Sequence, residues 1–112
     1  MKIAIPMAQG QLCPHFGHCE QFAMLEVNEQ TKEILSIEYV EAPPHQPGFL
    51  PPWMKERNVD LIIAGGMGAR AMGLFEQLDI KVIVGASPDK PENIVQKYLD
   101  NTLTTGQNLC DH

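Results

Sequence analysis

Apolar residues fall in short blocks along the chain, and their spacing predicts its elements. Residues 2–6 (KIAIP) form a compact apolar run that reads as a buried strand, with Pro6 closing it. Residues 7–19 then read as a loop, because Gln9-Gly10-Gln11 resists regular structure and Pro14 and Gly17 punctuate the rest of that segment. Residues 20–28 (EQFAMLEVN) and 33–40 (EILSIEYV) are rich in β-formers, and the polar stretch 28–32 joins them as a hairpin connection. The front half is therefore expected to be a three-stranded antiparallel meander with no helix. Residues 42–52 carry five prolines and a glycine and read as an extended linker. A short helix is expected from about Pro51, since proline is tolerated in a first helical turn.

The rear half changes rhythm. Residues 60–64 and 81–84 are continuous apolar runs, the pattern of strands covered on both faces. Residues 68–78 space Ala71, Met72, Leu74, Phe75 and Leu78 for one helical face, and residues 91–99 do the same with Ile94, Val95, Tyr98 and Leu99. The order β-β-β-α-β-α-β-α predicts a meander followed by right-handed βαβ units. The fold class is thus α/β, with a mixed five-stranded sheet and helices on its faces. A single domain over residues 1–103 is expected, followed by a polar tail, 104–112.

Composition narrows the function. A chain of 112 residues suits one domain with a core that needs no disulfide staples. Its net charge is −6, and positions 1–50 hold only Lys2 and Lys32 as basic residues. Nucleic-acid binding needs a clustered cationic face, so no nucleic-acid partner is expected. No apolar run approaches the ~20 residues of a membrane span, and the N-terminus does not read as a signal peptide, so no membrane partner is expected either. Three cysteines without an export signal point to reduced thiols and a cytoplasmic location.

The densest chemistry is Cys13-Pro14-His15-Phe16-Gly17-His18-Cys19, four thiol or imidazole donors in seven residues on the first loop. Such donors suit zinc, copper and iron rather than calcium or magnesium. The Cys13–Cys19 spacing fits neither structural zinc nor the ferredoxin rhythm, so a loop with an incidental thiol and surface histidines remains an equal reading. His45 lies in the proline-rich linker, and Cys110 and His112 close the chain; every His and Cys falls outside the expected strands and helices. A shared metal site would require linker and tail to fold back onto the first loop. Gly65-Gly66-Met67-Gly68-Ala69-Arg70 ends a strand and opens a helix, where glycines admit close backbone approach and helical N–H groups attract anions. A dinucleotide fingerprint is a poor match, because the next strand ends at Gly85-Ala86-Ser87 where a ribose-binding acid belongs. A metal nuclease would need a carboxylate within residues 2–6, and a cysteine nucleophile would need an oriented base; neither is evident.

The segments KIAIPM, HFGHCEQF, PPHQPGFLPPWM, DLIIAGGMGARAMGLFEQLDIKVIVGA and TGQNLCDH together resemble the dinitrogenase iron–molybdenum cofactor biosynthesis family, with its NifX-like and NifB C-terminal-like domains, in its short stand-alone branch. The resemblance implies a ribonuclease H-like three-layer α/β/α fold with strand order 3-2-1-4-5. It also implies a non-enzymatic carrier or accessory protein for a metal–sulfur cluster, of iron–sulfur or iron–molybdenum–sulfur type. In that order the first and fourth strands meet at a topological switch point, where α/β sheets bind ligands. The expected metal ligands are Cys13, His15, His18 and Cys19, joined by His45, Cys110 and His112 if linker and tail close over them. Gly65, Gly66, Met67, Gly68 and Arg70 would hold the anionic side of the cluster. The cysteines exceed those of many nitrogenase-linked carriers, which leaves open a simpler iron–sulfur cluster, a mixed molybdenum–copper sulfide, or zinc. Partners would be cluster-assembly or cluster-recipient proteins, and the chain a monomer or weak homodimer. Two other readings stand beside this one: a regulatory or interaction module with a structural zinc, and a thiol redox protein.

Overall fold

The computed structural model describes residues 1–16, 19–44 and 48–106. Among these, six strands and three helices follow one another as β1 (Lys2–Ala8), β2 (Gln11–Leu12), β3 (Gln21–Asn28), β4 (Glu33–Glu41), α1 (Leu50–Glu56), β5 (Leu61–Ile63), α2 (Ala69–Gln77), β6 (Lys81–Ile83) and α3 (Pro91–Leu99). The sheet has six strands, not the expected five. Its order is β4-β3-β1-β5-β6 with β2 paired to β1 off that path, which differs from the expected 3-2-1-4-5 by the inserted strand. The β1–β3 and β3–β4 pairs are antiparallel, whereas β1–β5 and β5–β6 are parallel.

The unexpected strand and the role of Pro6 share one cause. Pro6 does not end β1; it pairs with Phe22 within the β1–β3 ladder, one pair before its end at Met7 and Gln21. Its carbonyl accepts from the Cys13 N–H at 2.8 Å, so its imide nitrogen faces that same side and costs no bond to β3. On that side β5 reaches only Ile3 and Ala4. β2 fills the space beyond, pairing Met7 with Leu12 and Ala8 with Gln11. A positive φ at Gln9 (56°) and Gly10 (82°) makes the tight reversal between them.

Side-chain alternation along the strands sorts the core onto two faces. Ile3, Ile5, Ala23, Leu25, Leu61 and Ile63 pack with Ile94, Val95 and Leu99 of α3. Ala4, Phe22, Met24 and Ile62 pack instead with Trp53 and Met54 of α1 and Phe75 of α2. The helix over 50–56 starts one residue before its first proline, with Pro51 and Pro52 in a turn whose N–H groups need no intrahelical partner. No helix among the described residues is long and apolar enough to cross a membrane.

Candidate metal–sulfur site

The parallel contact between β1 and β5 sets the site. Both strands lead to the same end of the sheet, β1 through β2 to the described residues 13–16 and β5 to residues 64–68. The two loops touch. Phe16 donates its N–H to the Gly66 carbonyl at 3.0 Å, and a side chain on Gly65 would stand 3.1 Å from the Pro14 backbone and 3.2 Å from Leu12. Gly65 is therefore glycine because the first loop lies against it. Phe16 anchors that loop in the core, edge-on to Phe75 at 5.6 Å and tilted to Phe22 at 5.9 Å.

This anchoring positions the donors differently. Cys13 is buried, and its Sγ donates to the His15 carbonyl at 3.2 Å. His15 is exposed, and Cys19 is half-buried against the Phe16, Phe22 and Phe75 cluster. Burial, and secondarily the neighbouring Cys13, pushes the Cys19 thiol up from its ordinary 9.0 to about 12. The described cysteines are unbridged, and at neutral pH Cys19 is a protonated thiol. His18, His45, Cys110 and His112 lie outside the described residues. Among the described residues no group of three or more His, Cys, Asp or Glu side chains is gathered to hold a metal ion, which gives a closed zinc site no support.

The opposite wall is the Gly65–Arg70 turn. Gly65, Gly66 and Met67 are buried, the two glycine carbonyls accepting from Gly85 and Phe16, while Gly68, Ala69 and Arg70 are exposed. Gly68 caps α2 without a side-chain hydrogen bond, and the first turn holds no acid. Its N–H groups and Arg70 thus face solvent as a small positive end of a helix.

Two further segments of chain complete the rim: the β6–α3 loop, which sequence reasoning missed, and the start of the C-terminal tail, whose return it raised only as a condition for a shared metal site. The Asp89 carbonyl accepts the Leu12 N–H at 3.0 Å and ties the β6–α3 loop to β2. Gly85, at φ 87°, donates to Gly65 and accepts from the Gly106 N–H at 2.7 Å, so the C-terminal segment returns to the edge where the two loops meet. Gly85 after its strand is a second sequence signal for that return, beside the donors that close the chain. Gly85 contacts Gly106 so closely that a side chain on Gly85 would overlap the Gly106 backbone.

A family model described as dinitrogenase iron-molybdenum cofactor matches residues 1–101. The chain belongs to this family. An uncharacterized protein of Methanocaldococcus jannaschii is 34% identical over 108 residues, covering 92% of this chain and 89% of its own length. The crystal structure of PH0822 superposes with a TM-score of 0.86 at 24% identity, covering 94% of each chain. The apo form of the orange protein from Desulfovibrio gigas gives 0.71 at 21% identity, over 96% of this chain and 93% of that one. These two likenesses concern the fold. Membership of the family associates the chain with the iron–molybdenum cofactor and its biosynthesis.

Proposed function

We propose that the protein is a non-catalytic carrier that binds an iron–sulfur or iron–molybdenum–sulfur cluster at the β1–β5 edge and passes it to a recipient protein. The observation that supports this best is the contact of the 13–16 loop with Gly65 and Gly66, which brings a soft-donor loop against the exposed start of α2. Cys19 and His15, with His18 from the same loop, would ligate the cluster; Cys13 would lend support from the buried side. Gly68, Ala69 and Arg70 would face its anionic sulfides. Gly106 meets Gly85 at the same edge; Cys110 and His112, which lie outside the described residues, would be the closing ligands, carried by a 104–112 tail on a domain of residues 1–103. His45 would join only if the linker folds over the same edge.

The chemistry suits cargo better than a resident group. Ligands on loops at a sheet rim hold a cluster while leaving one side open to the next protein. Burial leaves Cys19 a protonated thiol in the metal-free chain, so cluster binding would release that proton as the thiolate forms. Assembly and recipient proteins in the cytoplasm would be the partners. The test is anaerobic reconstitution with iron, sulfide and molybdate, followed by metal analysis and visible absorption. Stoichiometric uptake that falls in Cys19→Ala and in His18→Ala is expected; no stoichiometric uptake by the unaltered chain would end the proposal.

A further inference from the structure

β4 is the last strand of the sheet, and among the described residues its ladder runs to β3 alone. Residues 36–41 pair with 21–26 without interruption, the one register shift lying nearer the hairpin, between Glu26 and Val27. An outer rim of backbone N–H and C=O groups is left open along that stretch. β4 has neither the lysine nor the proline that commonly blunt an edge strand; its bulge is confined to the hairpin end, and its only charges are glutamates. Three of the four large apolar side chains exposed among the described residues sit on it: Leu35 at 59%, Ile37 at 36% and Tyr39 at 51%.

Charge identifies the occupant. Glu33, Glu38 and Glu41 are the only charged side chains of β4. Ile37 and Tyr39 pair with Leu25 and Ala23, on the face covered by α3, while Glu38 pairs with Met24 on the other face. After burial, the Glu92 carboxylate of α3 helps hold the Tyr39 phenol above its ordinary range. The rim thus offers an apolar row bordered by carboxylates on both faces. A second copy would set glutamates against glutamates with no cation from the strand itself.

We propose that β4 is a docking edge for a partner protein, which adds an extended segment to the sheet with Lys or Arg opposite the glutamates and apolar residues opposite Ile37 and Tyr39. β3 separates β4 from β1, so the bound strand lies beyond β4, more than about 10 Å from β1 at ordinary strand spacing, and leaves the β1–β5 edge accessible. The inference does not depend on the cargo, and the metal-free chain is the material for its test.

The probe is a capped nine-residue peptide alternating Lys with Val and Tyr, compared with its Glu-for-Lys counterpart. Nuclear magnetic resonance of the labelled full chain reads amide shifts and hydrogen exchange. Shifts and slowed exchange centred on residues 33–41 are expected, with the acidic peptide at least tenfold weaker. Ile37→Lys and Glu38→Lys, both at exposed positions, are expected to weaken binding at least tenfold while the far-ultraviolet spectrum is unchanged. Shifts that avoid β4, no shifts at millimolar peptide, or equal binding of both peptides would each overturn the proposal. So would a dimer in sedimentation that Ile37→Lys dissociates, since the occupant would then be a second copy.

Discussion

Replacing Gly65 by alanine tests the contact on which the candidate site is built. The added methyl would sit 3.1 Å from both the Cα and the carbonyl oxygen of Pro14 and 3.2 Å from the Leu12 side chain. These are a few tenths of an ångström inside ordinary van der Waals contact, and two of the three neighbours are backbone. The first loop cannot yield freely there. Cys13 is held by the Pro6 carbonyl at 2.8 Å, Phe16 by the Gly66 carbonyl at 3.0 Å, and Leu12 is 1% exposed. Overpacking of this kind costs about 1–3 kcal/mol.

Urea unfolding followed by the fluorescence of Trp53, whose ring lies 5.5 Å from Phe22, would show that loss as a lower midpoint with an unchanged slope. Gly73→Ala is the control. It lies in α2 with nothing within 4 Å of the added methyl, and it should gain about 0.5–1 kcal/mol from helix propensity alone. Metal uptake should fall in Gly65→Ala and stay constant in Gly73→Ala. Equal stability and equal uptake in Gly65→Ala and the unaltered chain would refute the claim that the loop is wedged against the turn.

Other perturbations reach the same region. Gly85→Ala places a side chain at φ 87° and into the Gly106 backbone, so it should free the C-terminal segment and speed its proteolysis, at a cost of about 1–2 kcal/mol. Phe16→Ala removes a ring packed on Phe22 and Phe75; a loss of about 3 kcal/mol in urea unfolding is expected, with metal uptake falling because the donor loop loses its anchor. The Cys19 thiol ionises near pH 9 in the unfolded chain and near 12 in the folded one, so between those values the folded state holds more protons. Stability should therefore decline as pH rises from about 9 towards 12, and Cys19→Ala should flatten that decline in alkaline unfolding curves.

Much of the architecture was legible because each long element carried its own signal. Phe22, Met24 and Ala23, Leu25, Val27 alternate between two faces, and Ile94, Val95 and Leu99 recur at helical spacing after Pro91. β2 had no such signal. Two residues, Gln11 and Leu12, have no periodicity to read, and they are extended because the end of β1 and the Asp89 carbonyl offer partners. Pro6 misleads for a related reason: a proline ends a strand only where its missing N–H was needed, and here that side faces the β2 turn. The site was half legible. The Gly65-Gly66 pair and the Cys13–Cys19 donors stood out, but not that Gly65 lies against Pro14, nor that Phe16 packs the donor loop onto Phe75.

The charge balance ranks the forces at the proposed site. An anionic cluster approaching a chain of net charge −6 meets long-range repulsion, and Arg70 is the only cation of the 65–70 turn. Being exposed, it contributes on the order of 1 kcal/mol or less, together with the screened end of the α2 dipole. Retention must then rest on covalency from sulfur and imidazole donors. Arg70→Ala should weaken cluster retention less than tenfold, with a difference that shrinks as salt is added, while Cys19→Ala should lose retention at any ionic strength. A carrier that lost its cluster with Arg70 and kept it without Cys19 would reverse the order, making the helix terminus the binding element and the donor loop a mere wall.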